Sequence, residues 1–328
     1  MLEEGKYLEV VKADIETDLE WNEFVRNQYN LFYDWKFLKY NDVFNKNINW
    51  HHLKIKIKGT NKVFAIVTGC IDDEKKEYFS CKGVSFGGFL WKNKINLVEY
   101  LQLVNAFKKY LTVNGIKKCV MNLPPFFYQL SINEESEYAL INSGFSLKNV
   151  SITNIVELKD FNISKLSSTV AKQVQKQPAD VIYEMIEGEL KEGDLFEFYS
   201  VLKKDRELKG AVPTHTREEL IYLKNNLPQQ IKFFQSKING ELASICVLFV
   251  VNKNIILNFY LAGNEKYKDV HAVKALMFHT IEWSAKNNYM YYDVGTSDVN
   301  GKLLEGLFKF KKHFSGNGFL RKNFEINL

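Results

Sequence analysis

The chain has 328 residues, of which 46% are hydrophobic and 25% charged, with a net charge of +5. That balance belongs to a soluble globular chain and excludes a disordered polymer, and the length suits two domains of ordinary size or one large one. No apolar run approaches the roughly 20 residues of a helical membrane span, and the acidic opening Met1-Leu-Glu-Glu-Gly-Lys lacks a signal peptide's apolar segment, so the expectation is a cytoplasmic protein with no integral membrane segment.

The mild positive charge permits a polyanionic partner such as tRNA or a nucleotide-linked donor, without requiring one. The cysteines Cys70, Cys81, Cys119 and Cys246 are far apart, each in an apolar, strand-like run. No Cys-x-x-Cys pair exists, so zinc and thioredoxin readings fail, and buried free thiols are expected. His51 and His52 alternate across an extended segment and make a poor metal pair. No metal site, P-loop, dinucleotide fingerprint or serine elbow is present.

In chain order, an amphipathic helix is expected over 17–28, with Thr17 as N-cap and Glu20 completing a capping box. A second helix covers 33–44. Strands follow at 53–58, 62–71 and 78–84, the first alternating at period two. Gly83, Gly87 and Gly88 mark a bulge or a close backbone approach. A helix over 97–113 ends at Asn114-Gly115, a buried strand covers 116–121, and Pro124-Pro125 breaks it. A helix at 134–143 and a strand at 146–158 close the first half.

The second half repeats this order. Helices are expected at 164–176, 194–209 and 214–226, with a strand at 181–186 between the first two. Asn239-Gly240 joins two strands as a hairpin, and a third strand covers 255–261. A long helix over 269–286 leads to a strand at 289–294, which Gly295 stops. Thr296, Ser297, Asp298 and Asn300 form a turn. A short basic helix and a terminal strand at 319–326 finish the chain. Duplicated element order is stronger than either copy alone.

The stretch Asp293-Val-Gly, followed by Glu305-Gly-Leu-Phe-Lys-Phe-Lys-Lys-His-Phe314, resembles the C-terminal signature of FemAB-type acyltransferases, tandem members of the GNAT N-acyltransferase superfamily. Phe310-Lys311 match the family's Phe-Lys; Phe314-Ser315-Gly316 depart from its Phe-Gly-Gly. Tyr78 to Gly88, Pro124 to Tyr128 and Val212 to Leu220 resemble a GNAT-annotated bacterial subgroup. The resemblance implies an α+β fold of two tandem GNAT-like domains, each a mixed, mostly antiparallel sheet flanked by helices. Residues 1–160 would form the first domain, and 161–328 the second, carrying the active site.

It also implies acyl or aminoacyl transfer from an activated donor to an amine of an envelope precursor or small metabolite. No tightly bound cofactor is expected; acyl-CoA or aminoacyl-tRNA would be a co-substrate. In a GNAT fold two neighbouring strands part, and the donor binds in the gap as an added strand. That places Tyr260 and Asp293 near the reacting centre. Asp293 or Glu305 would accept the amine's proton, Tyr260 would protonate the leaving group, and Lys311 would offset negative charge or hold a donor phosphate. For Lys311 the alternative is a surface lysine; for Asp293, a turn cap.

Arg206 and His215 lie where related enzymes place acceptor contacts. Arg206 would pair with a carboxylate or phosphate, or merely close its helix; His215 would act as a base, or sit in a helix's first turn. Ser85, Gly87, Gly88 and Tyr128 would shape an acceptor groove in the first half. The glycine-rich phosphate loop of acetyl-CoA-dependent members is absent from Gly263 to His271, which shifts weight toward aminoacyl-tRNA or another donor. An acetyl-CoA-dependent N-acetyltransferase with an atypical loop, or a binding module keeping the fold, are the alternatives.

Overall fold

The computed structural model describes residues 8–44, 46–80, 82–91, 95–129, 134–299 and 301–328. Cys81 and Asn300 lie outside the described residues. The chain divides into two units, Met1–Ser151 with Leu320–Leu328, and Ile152–Phe319.

The first unit runs β1 (Leu8–Lys12), α1 (Leu19–Asn27), α2 (Trp35–Val43), β2 (Leu53–Ile57), β3 (Val63–Thr68), β4 (Cys70–Asp72), β5 (Glu77–Phe79), β6 (Gly88–Trp91), α3 (Leu97–Val113), β7 (Lys118–Leu123) and α4 (Glu135–Asn142), then the start of β8 (Ser146–Glu157). Its strands order as β1-β2-β3-β6 and as β4-β5-β7, with the chain's last strand beside β7. The expected strand at 62–71 is therefore shared between two sheets. It divides at Gly69, where a Cβ would fall 1.9 Å from the Tyr78 hydroxyl oxygen. Helix α1 is capped by Asp18, whose side chain accepts the Trp21 N–H, one residue beyond the expected Thr17. Leu53, Ala65, Val67, Phe107, Leu111 and Met121 form the fully buried centre.

The second unit continues β8 and then runs α5 (Ser168–Gln175), β9 (Ile182–Ile186), α6 (Phe196–Leu208), α7 (Arg217–Asn226), β10 (Ile231–Ile238), β11 (Glu241–Val250), β12 (Ile255–Gly263), α8 (Ala272–Lys286), β13 (Tyr291–Thr296), β14 (Asp298–Val299), β15 (Lys302–Leu303) and α9 (Glu305–Lys312). The sheet order is β8-β13-β12-β11-β10-β9. Asn239 and Gly240, with φ of 51° and 78°, make the tight β10–β11 turn. The β12–α8–β13 crossover sets β12 and β13 parallel, while β8–β13, β11–β12, β10–β11 and β9–β10 pair antiparallel. The fold class is α+β.

The last strand, β16 (Asn317–Asn327), pairs with β7 from Lys322 to Asn327. Leu320–Leu328 thus belongs to the first unit, whereas the sequence reading gave this strand to the second half. Among the described residues no helix is long and apolar enough to cross a membrane.

Candidate active site in the second unit

Strands β12 and β13 pair at Ile255–Tyr291, Ile256–Tyr292 and Leu257–Asp293. Beyond those pairs β12 runs on to Gly263 and β13 to Thr296, with no further pairing between them among the described residues. Each strand carries an irregularity at the parting point. The β11 partners jump from Asn258 to Tyr260, leaving Phe259 as an extra residue. The β8 partners of β13 jump between Asp293 and Thr296, across Gly295 at φ +82°. A bulge bends its strand and interrupts the ladder, so two bulges side by side open a gap.

Lys311 comes from the last turn of α9 and is buried. Its Nζ donates to the carbonyl oxygens of Gly295 at 2.7 Å and Thr296 at 2.5 Å. Asp293 is fully buried; its Oδ1 accepts the Gly295 N–H at 2.7 Å and the Thr153 hydroxyl. Lysine and carboxylate grip the same short turn from its carbonyl and amide sides, which fixes the end of β13. Ser297 adds a hydrogen bond to Asn154 Oδ1 at 2.7 Å, and Asp298 accepts the Ile152 N–H at 2.7 Å. Thr153, Asn154 and Asp298 were not singled out as site residues in the sequence. Thr153 and Asn154 stand in an ordinary strand pattern, with neither charge nor turn chemistry to distinguish them.

A second cluster is built on the bulge. Phe259 stacks on Phe249 with centroids 4.4 Å apart, and Tyr260 stands edge-on to Phe259. The Tyr260 hydroxyl accepts the His215 backbone N–H at 3.0 Å, and His215 Nδ1 lies 3.0 Å from the same oxygen. The Arg206 guanidinium sits 5.7 Å from the Tyr260 ring centroid. Burial pushes the Tyr260 hydroxyl above its ordinary pKa, against the His215 N–H bond that favours the phenolate. The phenol therefore stays protonated at neutral pH. His215 precedes α7 rather than entering its first turn: Thr216 caps that helix in a capping box with Glu219. Three of the expected residues, Tyr260, Arg206 and His215, are thus brought together.

Directly paired residues share a sheet face, as do alternate ones. Tyr260 opposes Val247, Phe249 opposes Leu257, and Leu257 opposes Asp293. Tyr260 and Asp293 accordingly lie on one face, the face that Phe198 of α6 covers through its edge-on contact with Phe233.

Neither a family model nor a curated protein matches the sequence. Solved structures do match. FemX is similar with a TM-score of 0.67 over 98% of this chain and 97% of its own, at 11% identity. L-PGS from Bacillus licheniformis gives 0.61 over 94% and 91%, at 12% identity. A tandem GNAT protein from the clavulanic acid biosynthesis pathway gives 0.54 over 98% of each chain, at 8% identity. The chain has the FemAB-like tandem GNAT fold.

In this FemAB-like fold Glu305 stays apart from the parted strands' polar residues. It opens α9 on an exposed surface and pairs with Lys309 at 3.3 Å. In the first unit, the Ser85 carbonyl accepts from Asn122 Nδ2 at 3.2 Å. The Gly87 N–H donates to the Asn122 carbonyl at 2.9 Å. A Cβ at Gly87 would meet the Ser80 carbonyl at 1.9 Å, and Gly88, at φ +101°, faces Leu123 at 2.7 Å. The glycines are there for close backbone approach, and β6 begins directly on them. Gly87 and Tyr128 line a cavity of about 40 Å3 with Trp91 and Leu123; Ser85 and Gly88 are not in its lining.

The segment before α8 folds as a short turn, Glu265–Tyr267, followed by His271 in a left-handed conformation. A hollow of about 440 Å3 there is lined by Lys172 of α5 and Lys176 just after it, together with Asp269 and His271. Cys70, Cys119 and Cys246 are free and buried. Burial raises the Cys70 thiol to about 11 and the Cys246 thiol to about 12, and Cys119 further, which keeps them un-ionised and poor nucleophiles.

Proposed function

We propose that this protein transfers an acyl or aminoacyl group from an activated thioester or ester donor to an amine, at the gap between β12 and β13. The reading rests on the parting of these strands immediately beyond Leu257 and Asp293, with Tyr260 on the same sheet face. Backbone groups released from a ladder need new partners, and an extended donor arm laid along β12 would supply them. The amine attacks the donor carbonyl, the bond to sulfur or oxygen breaks, and one proton passes from amine to leaving group. Tyr260, held neutral by burial and 3.0 Å from His215 Nδ1, is placed to relay that proton.

In this reading Arg206 and His215 also border the acceptor. Asp293 and Lys311 are positioning residues: they hold the strand end rather than meet the substrate. Glu305, ion-paired on an exposed surface, has no part. Lys172, Lys176 and His271 line the hollow before α8, where donor phosphates would be received in place of a glycine-rich loop. Envelope precursors and small amine metabolites are the proposed acceptors, and acyl-CoA and aminoacyl-tRNA the proposed donors.

The test is transfer by the purified protein from acyl-CoAs and from charged tRNAs to a panel of amines. One donor class should be consumed, and Tyr260→Phe should lower the rate about a hundredfold while leaving donor binding intact. Binding of neither donor, or an unimpaired Tyr260→Phe variant, would overturn the proposal.

A further inference from the structure

The first unit carries a concavity of about 500 Å3 that the transfer reading leaves unused. It lies between residues 12–16, helix α2 and residues 50–52. Trp35 and Trp50 line it together with the carboxylates of Asp14, Glu16 and Asp42; Lys12 and Lys39 are also present. Carboxylates outnumber ammonium groups, so the local balance favours a cation.

The aromatic wall is fixed in place. The Trp50 indole stacks on His52 with centroids 4.8 Å apart and planes 22° from parallel. Its Nε1–H donates to Asp42 Oδ1 at 2.8 Å. His52 is buried, and its Nδ1 accepts the Gly69 N–H at 3.3 Å. Burial lowers its pKa to about 3, so the imidazole is neutral and sets no positive charge beneath the site.

The rim of the concavity already carries an ammonium: Trp35 and Lys39 are neighbours at i,i+4 on α2. The Lys39 Nζ lies 5.7 Å from the Trp35 ring centroid and is ion-paired with Glu16. An ammonium over an indole, with a carboxylate beside it, is the arrangement that recognises alkylated ammonium groups. We propose that this concavity binds a ligand through an alkylammonium or quaternary ammonium group, which displaces the Lys39 ammonium from Trp35 and Glu16. An anion would face the carboxylates here. An uncharged ring would stack but leave them unused.

Choline and tetramethylammonium are the probes, titrated against tryptophan fluorescence and calorimetry. Dimethylbutanol, the uncharged carbon isostere of choline, is the control. Choline should bind saturably and the alcohol at least about tenfold more weakly. Trp35→Leu and Asp42→Asn should each weaken choline about three- to thirtyfold, and Lys39→Met should tighten it. Glu16→Gln, at an exposed side chain, carries the test if circular dichroism shows Trp35→Leu unfolded. Equal affinity for choline and the alcohol, no saturable signal, or weaker binding by Lys39→Met would overturn the proposal.

Discussion

Lys309, Lys311 and Lys312 share one short helix, yet of the three only Lys311 is buried. In the sequence Lys311 stood either as a group offsetting negative charge or as a surface lysine, and its burial was not legible. Its ammonium meets two carbonyl oxygens, of Gly295 and Thr296, that a different element supplies. His52 shows the reverse case: its role rests on burial, which an apolar neighbourhood only hints at. Its folded pKa is about 3 against an ordinary 6.5. Between these values the unfolded chain binds a proton that the folded chain excludes. The His52 contribution is therefore complete above pH 6.5 and is lost as pH falls toward 3. The slope from this one group approaches about 1.4 kcal/mol per pH unit. Urea midpoints measured from neutral pH downward should fall less steeply for His52→Gln than for the parent chain. Parallel slopes would mean that the buried ring accepts its proton without cost.

At the scale of elements, the gap between β12 and β13 depends on irregularities rather than on the strands themselves. Gly295 holds φ +82° with the Asn258 carbonyl 3.7 Å from where a Cβ would stand. That is ordinary contact, so the cost of Gly295→Ala lies in the left-handed backbone, about 1–2 kcal/mol. Gly59→Ala, at φ +75° with open space around it, has the same backbone requirement and serves as the control. Both should lower the urea midpoint by similar amounts. Only Gly295→Ala should also lower the transfer rate, because its φ shapes the bulge that Asp293 and Lys311 clamp.

The regular elements were legible in the sequence because period-two and helical patterns are local signals. Thus the β10–β11 hairpin followed from Asn239-Gly240, and α8 from its apolar spacing. The irregular ones were not: the sequence has Gly295 stopping the strand, yet β13 passes through it to Thr296. Strand β6 was hidden for a related reason. Its glycines read as a bulge or a close backbone approach, which holds, but the residues they approach, Ser80 and Leu123, are not named by the local pattern, nor is the strand that starts on them. Of the candidate site, Tyr260 and Asp293 were expected from topology and the family resemblance, and Arg206 and His215 from the resemblance alone; that Tyr260, Arg206 and His215 stand together is a matter of the fold. Thr153 and the buried orientation of Lys311 required the fold.

For the whole molecule, the decisive feature is the return of the C-terminus to the first unit. The chain builds most of that unit, leaves to build the second, and comes back to add β16 beside β7. Phe324 of β16 is buried in the first unit's core, and burying a phenylalanine side chain contributes roughly 1.5–3 kcal/mol. The antiparallel ladder from Lys322–Leu123 to Asn327–Lys118 adds the hydrogen bonds of an otherwise open edge. A fragment cut at the boundary the sequence suggested, residues 1–160, retains β7 without the strand that pairs with its edge and without Phe324 in the core. Such a fragment should lack a cooperative unfolding transition and should self-associate through the exposed edge of β7. Fusing residues 317–328 to it through a flexible linker should restore cooperative unfolding, and Phe324→Ala in that fusion should remove most of the gain, about 3–5 kcal/mol. Near-ultraviolet circular dichroism and urea titration of the three proteins decide the matter. Cooperative unfolding of residues 1–160 alone, with the same midpoint as the fusion, would show that the returning strand is an ornament on a finished domain rather than its closing element.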